Sequence, residues 1–201
     1  MAGYILAELK RHSPFTVIGA SSGVLAALVF QGLRQPVLYK IFYTLHPIHV
    51  VLSALVTASM YKTHTKSGKK LFTLLLIGYF GSVGIATLSD SVIPFIAEML
   101  LGMPEREIHI GFIEKWWLIN PLAIMGVAIA YIFPQTKFPH AGHVLLSTWA
   151  STFHILMSKG HLNFATYLVV FCFLFIAVWL PCCVSDIVFP LMFIKNKNSI
   201  N

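Results

Sequence analysis

Six apolar stretches dominate this chain, over about residues 14–33, 37–61, 71–101, 116–133, 140–157 and 162–193. Nothing else constrains its fold as strongly. Lipid offers no hydrogen-bond partner to a bare peptide group, so a chain inside it must close its own N–H···O=C bonds. A helix of roughly 20 apolar residues does this and spans the hydrocarbon core. Six stretches of about that length predict an all-α integral membrane protein with six transmembrane helices. Charged residues make up only 10% of the 201, against about 25% in a soluble domain. The third and sixth stretches are longer than one straight crossing needs. The first carries Gly19, Ala20, Ser21, Ser22 and Gly23, small residues that suit close helix contact in lipid.

The remaining polar residues sort by sign. The net charge is +7, from 14 Lys and Arg against 7 Asp and Glu. After six crossings Lys10, Arg11, the basic segment 62–70, Lys137, Lys195 and Lys197 share one side. Glu105, Glu107 and Glu114 fall on the other. The positive-inside rule then places both termini in the cytoplasm, with Arg34 and Lys159 dissenting. Trp116 and Trp117 read as interfacial anchors. The segment from Met1 to Arg11 lacks the charged start and cleavage site of a signal peptide and reads as a short amphipathic lead-in. The basic excess lies in scattered loops, not in a patch on a soluble fold, so nucleic acid is excluded as a partner. Cys172, Cys182 and Cys183 share one apolar stretch and make no disulfide framework.

Two short motifs recur in order. His46-Pro47-Ile48-His49-Val50-Val51-Leu52-Ser53 returns as His140-Ala141-Gly142-His143-Val144-Leu145-Leu146-Ser147. Downstream, Ser89-Asp90-Ser91-Val92-Ile93-Pro94 returns as Ser185-Asp186-Ile187-Val188-Phe189-Pro190. A fainter match sets Pro14 and Gly19 against Pro121 and Gly126. Likeness between apolar helices explains shared Val and Leu, but not shared His, Ser, Asp and Pro. The chain therefore reads as two three-helix repeats, 1–101 with the lead-in and 116–195, joined by an outer loop 102–115 and ending in a polar tail 196–201. Three crossings are an odd number, so the second repeat enters from the opposite face. This inverted topology underlies many secondary transporters.

The recurring residues are ligand types. Histidines three apart share a helix face, and a serine at the seventh place continues it. Antiparallel neighbours bring His46 and His49 to the depth of Asp90, and His140 and His143 to that of Asp186. Two imidazoles and a carboxylate suit Zn²⁺, Fe²⁺ or Mn²⁺, with Ser53, Ser147, Ser89 and Ser185 in support. The third helix of each repeat is expected to be broken by proline, because Pro94 and Pro190 free the carbonyls of Asp90 and Asp186. The clusters are expected to merge into one binuclear site or to serve as successive stations. Cys182 and Cys183 read as packing, Ser53 and Ser147 also allow a bond back to their own helix, and His109 and Glu114 read as a solvated outer loop.

Transport of a divalent transition-metal cation by alternating access is the reading these features favour, with no residue read as catalytic. The bilayer and the metal ion are the expected partners. The histidines allow protons as a coupling ion, since imidazole titrates near neutral pH, and the coupling ion and a homo-oligomer stay open. An intramembrane metal-dependent hydrolase is one alternative, with a metal-bound water as nucleophile, but it needs one cluster only and no His-Glu-x-x-His is present. A haem-binding electron carrier is another, using His140 and His154 fourteen apart on one helix. Met60 stands where that carrier would need a second copy of His154.

Overall fold

The computed structural model describes residues 2–65, 71–158, 163–184 and 188–193, without the side chains of 2–12, 137–139 and 183. Among these residues every regular element is helical. In chain order they are α1 (Ala2–Phe30), α2 (Gln35–His64), α3 (Leu71–Thr87), a π-helical segment (Leu88–Val92) and α4 (Ile93–Leu100). Then come α5 (Gly111–Glu114), α6 (Trp116–Ile132), α7 (Lys137–Met157), α8 (Phe164–Cys183) and α9 (Phe189–Met192). Local chemistry sets several ends. Pro36 stands in the first turn of α2, where its missing N–H costs nothing. The Asn163 side chain accepts the Thr166 N–H at 2.9 Å and caps α8.

Ser13–Phe30, Gln35–His64, Leu71–Leu100 and Phe164–Cys182 are helices long and apolar enough to cross a membrane. The helix α6 is apolar but has 17 residues, about 25 Å of rise against a hydrocarbon core of roughly 30 Å. The helix α7 has 21 residues, but histidine, serine and threonine lower its hydropathy. Among the described residues each of the six expected spans is mainly helical, and four of the helices are candidates to cross a membrane.

Burial is inverted relative to a soluble protein. Trp116 is 64% exposed, and Ile18, Phe72, Phe80 and Leu100 are exposed too. An apolar surface of this kind is compatible with contact to a lipid bilayer. The interior holds His46, His49, Asp90, Glu98, His143 and His154, with serines and threonines between them. Ionisable groups at that depth are costly and occur where they have partners or a function.

The helix α1 runs unbroken from Ala2 through Pro14 to Phe30. One local expectation changes: Pro94 does not break its helix, which continues from Leu71 to Leu100. The chain widens at Leu88–Val92 instead, where the Ile93 N–H bonds the Leu88 carbonyl five residues back. Pro94 falls in the first turn of α4. The wider turn absorbs the missing donor without parting the helix. Val184 and Val188 are also π-helical, and Pro190 stands in the first turn of α9.

Helix α2 is central and packs on α7, α6 and α3, while α1 packs on α7 and α8. Small residues allow the close crossings. A methyl on Gly126 would lie 2.5 Å from the Val51 carbonyl oxygen and 2.8 Å from Ala54 Cβ. One on Gly19 would lie 2.9 Å from Thr148 Oγ1. After α4 the chain reverses through Gly102, at φ +62. Gly102 N–H bonds Met99 O at 3.2 Å and Met103 N–H bonds Glu98 O at 3.0 Å, the paired bonds of a Schellman end. Glu105 N–H then bonds Ser158 O at 3.1 Å, fastening the 101–110 loop to the end of α7.

Candidate metal centre

The centre begins with one stripe of α2. His46, His49 and Ser53 lie along it, all buried, because positions three and seven apart return to one helix face. The π-helical segment faces this stripe with Ser89, Asp90 and Ser91, also buried. His46 and His49 donate their Nδ1–H groups to the same oxygen, Asp90 Oδ2, at 2.9 and 2.6 Å. The second oxygen, Oδ1, accepts the hydroxyls of Ser89 and Ser147, both at 2.7 Å. Ser151 bonds the Ser89 carbonyl at 2.9 Å and the Ser147 carbonyl at 2.8 Å, so α7 is pinned to the backbone of the π-helical segment. Four donors on one carboxylate are what a fully buried Asp90 requires.

This clamp fixes the chemistry of the rings. An ionised carboxylate only accepts, so both Nδ1 atoms carry the hydrogen, and a neutral ring keeps its lone pair on Nε2. Among the described residues neither His46 Nε2 nor His49 Nε2 has a hydrogen-bond partner. Carboxylate on one ring nitrogen and a free lone pair on the other is the usual orientation of a metal-binding histidine. One ligand atom from each of His46, His49 and Asp90 lies within 4.8 Å of the others, and the group can hold a metal ion. Two ligands of a tetrahedral zinc stand about 3.3 Å apart at bond lengths near 2 Å. The separations of 2.6 and 2.9 Å are those of hydrogen bonds. Asp90 therefore orients the imidazoles in this state of the protein. Beside His46 Nε2 the wall is backbone: a methyl on Gly111 would lie 2.5 Å from that nitrogen.

The second copy of the motif adjoins the first. The rings of His49 and His143 stand edge to face with centroids 5.5 Å apart, and His140 and His143 are 4.9 Å apart. Ser147 belongs to the second motif copy, yet it bonds the aspartate of the first. Ser53 is buried, and its hydroxyl has no partner among the described residues. Asp186 and Ser185 lie outside the described residues.

Sequence reasoning missed a second polar pair. His154 Nδ1 and Glu98 Oε1 are 2.7 Å apart, and both residues are only 1% exposed. His109, read from the sequence as part of a solvated loop, is buried beside them, its ring centroid 5.4 Å from that of His154. Its Nδ1 lies 3.3 Å from Glu114 Oε2, which also accepts the Tyr43 hydroxyl at 2.5 Å. The signal was available: Glu98 is a carboxylate inside an apolar stretch, as costly there as Asp90. The chain matches no protein-family model, no curated protein and no solved structure.

Proposed function

We propose that this chain carries divalent transition-metal cations across a membrane, binding them at His46, His49 and Asp90. The observation that carries the reading is the clamp on Asp90. A buried carboxylate holds two imidazoles by Nδ1 and leaves both Nε2 atoms without a described partner. Imidazole nitrogen with nearby carboxylate oxygen suits zinc, iron or manganese.

Transport, beyond mere binding, is supported by the relation between the halves. Gly19 meets Thr148 and Gly126 meets Ala54, and Ala54 and Thr148 hold the same place in the two motif copies. The π-helical residues Leu88 and Val92 correspond in the same way to Val184 and Val188. Equivalent contacts of this kind are what two inverted three-helix repeats would make. In that reading Asp186 repeats the role of Asp90 for His140 and His143, and both termini are cytoplasmic. Because Ser147 and Ser151 tie the second half to Ser89 and Asp90, rocking one half against the other would remake the clamp. Alternating access needs such a change.

The test uses purified protein, zinc binding by calorimetry, and zinc uptake into proteoliposomes. His46→Ala and His49→Ala should each abolish zinc binding at this centre and, with it, uptake. Asp90→Asn keeps one acceptor oxygen and should weaken binding by about 10–100-fold, as loss of an orienting partner does. Binding and uptake at wild-type levels in both histidine variants would sink the reading. Stoichiometric zinc without uptake would favour the hydrolase instead.

A further inference from the structure

The polar interior does not stop at Asp90. Along the α2–α7 contact, His154 and Phe42 lie beyond His46, and the loop residue His109 lies beyond them. The Phe42 ring stacks on His46 at 5.3 Å and meets His154 edge-on at 5.5 Å. One aromatic ring thus separates the Asp90 centre from the Glu98–His154 pair.

We propose that Glu98 and His154, flanked by His109, form a second cation station between the 101–110 loop and the Asp90 centre. This rests on the transport reading and extends it. The pair repeats the logic of the centre: a carboxylate oxygen holds Nδ1 of a buried imidazole. Glu98 Oε2 and His154 Nε2 are then left without hydrogen-bond partners among the described residues. Each buried orphan carries a desolvation cost, which a cation bound at Glu98 Oε2 or at His154 Nε2 removes. The third ring, His109, is held from the loop side by Glu114 and lies 3.8 Å from Glu107 through its Nε2. At the mouth the exposed Glu107 and the partly exposed Glu114 stand with two cations, Arg106, whose charge acts on Glu98, and Lys115, over the Tyr39 and Tyr43 rings. The same ligand chemistry, imidazole with carboxylate, selects the same class of ion at both stations.

The experiment is equilibrium binding of Zn²⁺ alone to the purified full chain, read as metal equivalents and affinity. Wild type is compared with Glu98→Gln, His154→Ala, His49→Ala and the Glu98→Gln/His49→Ala double variant. Glu98→Gln is nearly isosteric, and Glu98→Asp provides a second variant should the amide fold poorly. The expected result is that Glu98→Gln and His154→Ala each lose one equivalent, or weaken it by about tenfold or more, with the His49-dependent binding intact. The double variant should lose both. Wild-type binding in Glu98→Gln and His154→Ala, with His49→Ala still defective, would overturn the second station and leave the transport reading standing. No effect from His49→Ala either would overturn both.

Discussion

Gly111→Ala is the sharpest test of whether the space beside His46 Nε2 matters. The added methyl would lie 2.5 Å from Nε2, 2.7 Å from Cδ2 and 3.5 Å from Ile119 Cγ1. Non-bonded atoms of this kind prefer about 3.5–4.0 Å, so ring and backbone must part by about 1 Å. His46 is poorly placed to give way, because Phe42 stacks on one face within 10° of parallel and Asp90 holds Nδ1 at 2.9 Å. A retreat of about 1 Å takes that bond past the distance at which it counts as one. A hydrogen bond to a charged group contributes about 1.5–3 kcal/mol, which corresponds to roughly 10–100-fold in affinity. The methyl also fills the place from which a ligand would reach Nε2. Calorimetric titration of zinc into purified Gly111→Ala should therefore show at least a tenfold loss. Gly84→Ala is the control, since a methyl there meets nothing within 4 Å. Gly111→Ala protein that stays monodisperse and binds zinc within about twofold of wild type, well under the 1.4 kcal/mol of a tenfold change, would refute the assignment of Nε2.

Two further outcomes are expected. Ser147→Ala removes one of the two hydroxyls on Asp90 Oδ1; it should cost about 1–3 kcal/mol, read as a loss of thermal stability larger than that of Ser53→Ala. In a cysteine-free background, Glu105→Cys and Thr65→Cys should react with a membrane-impermeant maleimide from opposite faces, Glu105→Cys from outside. Labelling of both from one face would overturn the three-crossing repeat.

The helices were legible because lipid leaves the backbone a single option, and long apolar runs announce it. The pairing of His46 and His49 with Asp90 was legible too, because a helix repeats every third or fourth residue and a buried aspartate needs donors. Three things were hidden. The proline rule describes a regular helix, so the sequence suggested a break where a π turn absorbs Pro94. Ser147 was weighed for its own helix or its own repeat, yet it donates to the aspartate of the other half, a contact between segments 57 residues apart. Glu98 was passed over because no repeated motif contains it, although intramembrane cost marks any carboxylate, repeated or not.

In this structure Asp90 serves as a hydrogen-bond acceptor, within a group that could hold a metal ion. The sequence suggested a ligand, with carboxylate and freed carbonyl both turned to the ion. Burying one aspartate in a membrane helix costs about 2.5–3.5 kcal/mol on the insertion scale. Each of the four bonds it accepts contributes about 1.5–3 kcal/mol, so the carboxylate needs no metal to be stable where it is. Among the described residues the Nε2 lone pairs of His46 and His49 have no partner, each worth about 1–3 kcal/mol if left dry. A cation arriving at either Nε2 gains an imidazole whose direction has already been set by Asp90. This is why the histidine variants should abolish binding at this centre and Asp90→Asn should only weaken it. If the order were reversed, with Asp90→Asn the more damaging, the carboxylate would be the ligand and the hydrogen-bonded clamp a state the ion displaces.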